Sequence, residues 1–203
     1  MTDSAEPLRA YRAGLRGRLV AAREALPAAE HARLSRQIER HLGALLEALQ
    51  PATLAFCWPF RAEFDARPLV TRLLDRGLRA CLPVVVDKNL PLEFREWSQE
   101  SEMIEDRYGI HVPAQGASLR PAAILMPLNA FDTAGYRLGY GGGYFDRSLA
   151  ALAPRPRAVG VGFELARVSS IRPQAYDLPM DFIVTEAGAF EVANGRLQPK
   201  NIL

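Results

Sequence analysis

The chain has 203 residues, 49% of them hydrophobic and 24% charged, which is enough apolar material for a substantial core and predicts a single domain over 1–203. No run approaches the ~20 apolar residues of a membrane helix, and the opening MTDSAEPLRAYR lacks the apolar centre of a signal peptide, so a cytoplasmic protein without a membrane partner is expected. The formal net charge of +2 is small for this length and does not single out nucleic acid as a partner.

Leu8, Tyr11, Leu15 and Leu19 recur at helical spacing, which predicts a first helix with Arg9, Arg12, Arg16 and Arg23 around its other sides. Arg12 and Arg16, four residues apart, share a face. They can grip one polyphosphate together or form an ordinary solvated basic face. Pro27 opens a second helix with Leu34, Ile38, Leu42, Leu45 and Leu49 as its apolar stripe, and Pro51 stops it. His31 and His41 on that helix lack carboxylate or cysteine neighbours in a ligand pattern and read as surface or packing residues.

Residues 53–58, TLAFCW, read as a buried strand. Asp65 can cap a helix running to Arg76, Gly77 ends it, and residues 79–86 form the next strand. The unit is βαβ, so its crossover should be right-handed and its strands parallel. The loop after the first strand, which carries Glu63, then lies at the carboxyl edge where open α/β sheets bind ligands. Taken alone, Glu63 is an ordinary loop carboxylate, and Trp58 is either a pocket wall or a core residue. Cys57 and Cys81 fall in apolar runs, and two cysteines make no metal ligand set, so reduced core thiols are expected. Residues 92–97 alternate as an antiparallel strand would, after the turn-prone 87–89.

Residues 122–126 give a third apolar strand, 144–152 a helix and 157–163 a further strand, a second βαβ unit. Between them Gly139, Gly141, Gly142 and Gly143 crowd between Arg137 and Tyr144. Such a turn can bring backbone N–H groups close to a ligand, and a helix starting at its end offers free donors and a positive dipole end. Neither the dinucleotide fingerprint nor the Gly-Lys-Ser/Thr ending of a P-loop is present. Arg137 before the glycines supplies a cation for phosphate oxygens, and Asp146 just after them a carboxylate able to hold Mg2+. That combination suits a nucleoside triphosphate; the plainer alternative is a glycine-rich hairpin with Asp146 favouring the helix start.

At Gly135-Tyr136-Arg137-Leu138-Gly139-Tyr140-Gly141-Gly142-Gly143-Tyr144-Phe145-Asp146 the sequence resembles the 5-formyltetrahydrofolate cyclo-ligases, also called methenyltetrahydrofolate synthetases. Further resemblance extends from the N-terminal helix to about Glu186, and Phe145 stands where the family has a second tyrosine. The resemblance implies a three-layer α/β/α sandwich around a mostly parallel sheet. It also implies an ATP- and Mg2+-dependent cyclisation of 5-formyltetrahydrofolate to 5,10-methenyltetrahydrofolate with release of ADP and phosphate. ATP is then expected on Arg12, Arg16 and the loop Arg137, Leu138, Gly139, Tyr140, Gly141, Gly142, Gly143, Tyr144 and Phe145. The folate is expected on Trp58, Glu63 and residues 140–144, with Glu63 facing the pterin, and Mg2+ on Asp146 and Asp177.

Arg137 and Tyr144 are the expected catalytic residues, Tyr144 nearest the formyl group, with no dedicated general base. Residues 108–110 and Pro113 resemble the family's loop over the substrate, where Tyr108 either stacks on the ligand or packs. Asp181 either orients the metal site or caps a strand at 181–186, and Ala166 and Tyr176 depart from the family pattern. A monomer is expected. The competing readings are a phosphosugar isomerase-like enzyme of similar architecture and an RNA-binding module built on the arginine-rich first helix.

Overall fold

The central strands are buried on both faces, and the two sides to which their residues alternately point set the layers. The computed structural model describes residues 5–202; the first four residues of the segment read as free of a signal peptide, and Leu203 at the end of the tail, lie outside them. In chain order the elements are α1 (Ala5–Glu24), α2 (Ala28–Leu49), β1 (Thr53–Ala55), α3 (Arg67–Leu74), β2 (Arg79–Val84), β3 (Glu93–Trp97), β4 (Met103–Glu105), β5 (His111–Pro113), β6 (Ala123–Pro127), β7 (Ala130–Asp132), β8 (Arg137–Leu138), α4 (Tyr144–Ala151), β9 (Arg157–Val161), β10 (Arg167–Val168), β11 (Phe182–Thr185), β12 (Gly188–Ala193) and β13 (Arg196–Pro199).

The main sheet has eight strands in the order β13-β12-β11-β9-β6-β1-β2-β3, and its five central strands are parallel. Leu54, Leu82, Leu125, Val159 and Val184 face one side, where Ile38, Leu42 and Leu45 of α2 and Leu69 and Val70 of α3 cover them. Ala55, Cys81, Ile124, Met126, Ala158 and Ile183 face the other, against Leu149 of α4. This is the α/β/α sandwich around a mostly parallel sheet. A fully buried leucine such as Leu42 contributes about 1.5–3 kcal/mol over an exposed one. The first helix stands outside the layers, packing Leu15 on Ala130, Leu138 and Ile171 beside the small sheet β10-β7-β8. No described helix is long and apolar enough to cross a membrane.

Several expectations shift. The first strand stops at Ala55, although Phe56 still donates to the Cys81 carbonyl at 3.1 Å. The third helix starts at Arg67, because Asp65 caps from one residue earlier, accepting from the Arg67 N–H at 3.0 Å. The hairpin β7–β8 was not foreseen, since strands of three and two residues show no period. The edge pair β12–β13 was missed because its residues are mostly half-buried or exposed and carry little alternation. His41 is a packing residue, buried with its Nδ1 3.0 Å from the Thr185 carbonyl oxygen. Arg23, expected on an outer side of the first helix, is buried.

From β1 the chain crosses to β2 on one side, and from β6 it proceeds to β9 and β11 on the other. The direction reverses between β1 and β6. Loops leaving the carboxyl ends of those two strands therefore diverge and leave a crevice.

Candidate active site

The crevice opens into a cavity of about 670 Å³, within the roughly 300–1,000 Å³ of small-molecule sites. Every site residue expected from the sequence lines it, together with Tyr108 and Tyr176. Ala166 does not; it is buried in the core beneath.

One wall is the glycine loop. Gly141 takes φ +95°, and a Cβ there would lie 3.2 Å from Arg16 Nη2, so the loop's backbone and this arginine are packed against each other. Gly143 takes φ +66° as the left-handed N-cap of α4, whereas Gly139 and Gly142 have no such angle. Arg16 Nε donates to the Gly139 carbonyl at 2.6 Å. Arg12 Nε donates to the Ile171 carbonyl at 3.2 Å, and its Nη2 pairs with Asp177. Burial, then the like charge of Arg12, pushes the Arg16 pKa down, so this end of the cavity favours an anion that would relieve the repulsion.

Arg137 is buried, with Nη2 3.3 Å from Asp146 Oδ2 and Cζ 5.2 Å from the Phe145 ring centroid. The aromatic face that Phe145 retains is thus the part in use. Burial lowers the Arg137 pKa, opposed by Asp146, and its Nε is buried without a partner among the described residues. A buried donor left open beside a cavity fits an anionic ligand oxygen. Asp146 Oδ1 accepts from the Leu178 N–H at 3.2 Å, which joins the first turn of α4 to the residue after Asp177. Asp177 Oδ2 accepts from the Gln174 N–H at 2.6 Å. Two carboxylates distant in sequence therefore share one wall. Among the described residues no three His, Cys, Asp or Glu side chains form a metal cage; the pair fits a hard cation that keeps its waters and arrives on phosphate oxygens. Asp181 only caps its strand, accepting from the Ala158 N–H at 2.7 Å and from Arg155 at 3.1 Å.

The opposite wall follows β1. Glu63 is 6% exposed; its Oε2 accepts from the Phe60 N–H at 3.1 Å, its Oε1 from the Tyr140 hydroxyl at 2.9 Å, and Arg23 Nη2 lies 3.7 Å away. Burial raises its pKa, while Arg23, Tyr140 and the Phe60 N–H pull it back. Trp58 stacks on His111 at 5.4 Å and carries the Arg67 guanidinium 4.3 Å from its centroid. At the mouth the β4–β5 tip reaches the glycine loop, with the Tyr108 and Tyr144 hydroxyls 2.8 Å apart, a hydrogen bond that raises the Tyr144 pKa. Cys57 borders the cavity as a thiol, its pKa pushed up by burial, and burial pushes Cys81 to about 12.

Sequence reasoning missed Arg23, Arg67, His111 and Asp132. Asp132 holds the β7–β8 turn through the Ala134 and Tyr136 N–H groups, each at 3.1 Å, and takes the Ile171 N–H at 3.1 Å, which brings the segment leading to Asp177 to the site. Its signal was Asp132-Thr133-Ala134-Gly135, a turn pattern. The others are delivered by tertiary contacts and leave no local pattern.

The sequence model of the 5-formyltetrahydrofolate cyclo-ligase family matches residues 9–186. A 5-formyltetrahydrofolate cyclo-ligase of Escherichia coli K12 is 28% identical over 176 residues, 83% of this chain and 97% of that one. One of Haemophilus influenzae is 27% identical over 163 residues, 76% of this chain and 87% of that one. The solved structure of Aquifex aeolicus 5,10-methenyltetrahydrofolate synthetase superposes with a TM-score of 0.78 at 27% identity, covering 94% of this chain and 97% of that one. A synthetase of that name from Mycoplasma pneumoniae, at 24% identity and TM-score 0.70, covers 86% of this chain and 98% of its own and supports the fold.

Proposed function

The chain belongs to the 5-formyltetrahydrofolate cyclo-ligase family, and we propose that the cavity at its sheet switch point is where ATP and 5-formyltetrahydrofolate react. The enzyme closes 5-formyltetrahydrofolate to 5,10-methenyltetrahydrofolate, with ATP converted to ADP and phosphate. The observation that carries the assignment of the site is the convergence of Arg12, Arg16 and Arg137 on a cavity that the buried Glu63 also lines.

A formamide oxygen is a poor leaving group. Its attack on the γ-phosphorus, with departure of ADP, makes the formyl carbon electrophilic. The N10 lone pair then attacks that carbon, the N10 proton is lost, and phosphate leaves with the former formyl oxygen. The protein's part is alignment and charge stabilisation. Arg12, Arg16, Arg137 and the loop of Leu138, Gly139, Tyr140, Gly141, Gly142, Gly143 and Phe145 hold the triphosphate. Glu63 accepts hydrogen bonds from the pterin 2-amino and N3 groups, Trp58 lines that end, and Tyr144 lies beside the formyl group. Asp146 and Asp177 hold Mg2+, which when bound neutralises charge on the phosphate oxygens. The protein acts as a monomeric, single-domain cytoplasmic enzyme without a nucleic-acid partner.

The test is absorbance in the band of the methenyl product with ATP, Mg2+ and a set of folates. Growth of that band with 5-formyltetrahydrofolate, and phosphate release only when it is present, is expected. ATP turnover indifferent to folate, or no methenyl product, defeats the assignment, and tight salt-sensitive RNA binding without ATP turnover supports the RNA reading instead.

A further inference from the structure

Arg23 lies in the last turn of α1, 4% exposed, and each of its nitrogens is engaged. Nε donates to the Arg61 carbonyl at 3.0 Å, and Nη1 to the Leu128 carbonyl at 3.2 Å and to Asn129 Oδ1 at 3.1 Å. Nη2 donates to the Tyr140 hydroxyl at 3.2 Å and lies 3.7 Å from Glu63 Oε1. A guanidinium can only donate, so the Tyr140 oxygen accepts from Arg23 and its own hydrogen points at Glu63. The backbone before Glu63 is strained as well: Arg61 and Ala62 both hold left-handed φ, +50° and +56°. Arg23 grips the first of these residues by its carbonyl, while Glu24 pairs with the Arg61 side chain at 2.7 Å.

We infer that Arg23 is a positioning residue for the reaction: one buried guanidinium fixes the Glu63 turn and seats Tyr140 so that the glycine loop and the pterin-facing carboxylate are aligned together. The inference rests on the reading of Glu63 as the pterin acceptor. The helix that carries Arg12 and Arg16 to the nucleotide therefore also sets the folate end, two turns further along. The charged and titratable groups facing Glu63 are Arg23 from α1, Tyr140 from the glycine loop and the Cys57 thiol beyond β1, the last kept neutral by burial. The side chain of Arg67 on α3 turns to Asp65 instead. Arg23 is thus the cation that opposes the desolvation of Glu63, and without it the carboxyl should hold its proton to higher pH.

The experiment compares Arg23→Gln, Arg23→Lys and Glu63→Gln by steady-state kinetics across pH, with melting temperature as the check on folding. For Arg23→Gln the KM for 5-formyltetrahydrofolate should rise about tenfold or more, that for ATP about threefold at most, and the acid limb of kcat/KM for the folate should move up by about one pH unit. Arg23→Lys keeps the charge and loses the fork, so its acid limb should return toward wild type while the folate KM stays raised. A folded Arg23→Gln with wild-type folate KM and acid limb overturns the inference. If that variant does not fold, Arg23→Lys decides, and a wild-type folate KM there overturns it. Loss of folate affinity in Glu63→Gln without any effect at Arg23 defeats this inference alone, whereas unchanged folate affinity in Glu63→Gln defeats the reading of Glu63 beneath it.

Discussion

Beside the glycine loop, Arg12 and Asp177 keep 14% and 12% of their side-chain surface, and residues 140–143 are exposed; across the cavity, Arg23 and Glu63 keep 4% and 5% and are wired to the backbone. The first end is a set of charges that have paired with one another and can exchange those partners for phosphate oxygens. Arg12 and Asp177 still touch water, so this pair opens at less cost than one fully enclosed by protein. The second end is fixed before any ligand arrives. Removing one partner of a buried ion pair costs about 3–5 kcal/mol, so Glu63 has almost no alternative arrangement. One half of the site adapts to its ligand and the other selects it.

Arg137 breaks the pattern, being a buried cation at the adaptable end, and the largest effect is expected there. Arg137→Met should lower kcat about 10²–10³-fold, the loss typical of removing a donor aimed at developing charge. Single-turnover phosphate release measures it, and a folded variant within about threefold of wild type would take Arg137 out of the chemistry. Asp146→Asn comes next. The Mg2+ concentration for half-maximal rate should rise about tenfold, because an amide replaces one anionic oxygen ligand without emptying the site. An unaltered Mg2+ response in the folded variant would confine Asp146 to its helix N-terminus, a role worth about 0.3–1 kcal/mol.

The sequence exposed the adaptable end far better than the fixed one. Arg137 to Asp146 is contiguous, and its glycines, arginine and carboxylate announce their chemistry at short range. The central strands were legible because residues buried on both faces read as unbroken apolar runs. Arg23 read as another outer arginine, since its burial arises from Leu128, Asn129 and Tyr140, more than a hundred residues away. Glu63 was placed by the βαβ unit and its chemistry by resemblance; its closed hydrogen bonds depend on a turn with two left-handed residues that no local signal marks. The hairpin β7–β8, too short for a period, went unseen although it carries Arg137.

The selective end is sharpened by Glu63→Gln, for which folate affinity should fall about tenfold while the ATP Kd is unchanged, since a neutral amide cannot serve two adjacent donors as a carboxylate does. Equilibrium titration of each ligand separates the two effects. In the wild type, burial holds the Glu63 pKa above the usual carboxylate value. The carboxylate that binds is the ionised form, so folate affinity should weaken as pH falls through that raised pKa and be full above it. Affinity independent of pH on the acid side would argue that Glu63 is not the acceptor.

The smallest effects belong to Arg12 and Arg16. Each replacement by alanine should raise the ATP KM about fivefold to tenfold, the loss of one partly buried phosphate contact, with the folate KM unmoved. The two should differ in stability. Arg16→Ala removes a hydrogen bond to Gly139 but also the repulsion with Arg12, so its melting temperature should stay close to wild type. Arg12→Ala leaves Asp177 without its cation and frees the Ile171 carbonyl, so its melting temperature should drop. Added salt should narrow the gap in ATP KM between wild type and either variant, because screening acts on charges that water reaches. A gap that ignores salt would mean that these arginines work as buried groups, as Arg137 does, and that the nucleotide end is as fixed as the folate end.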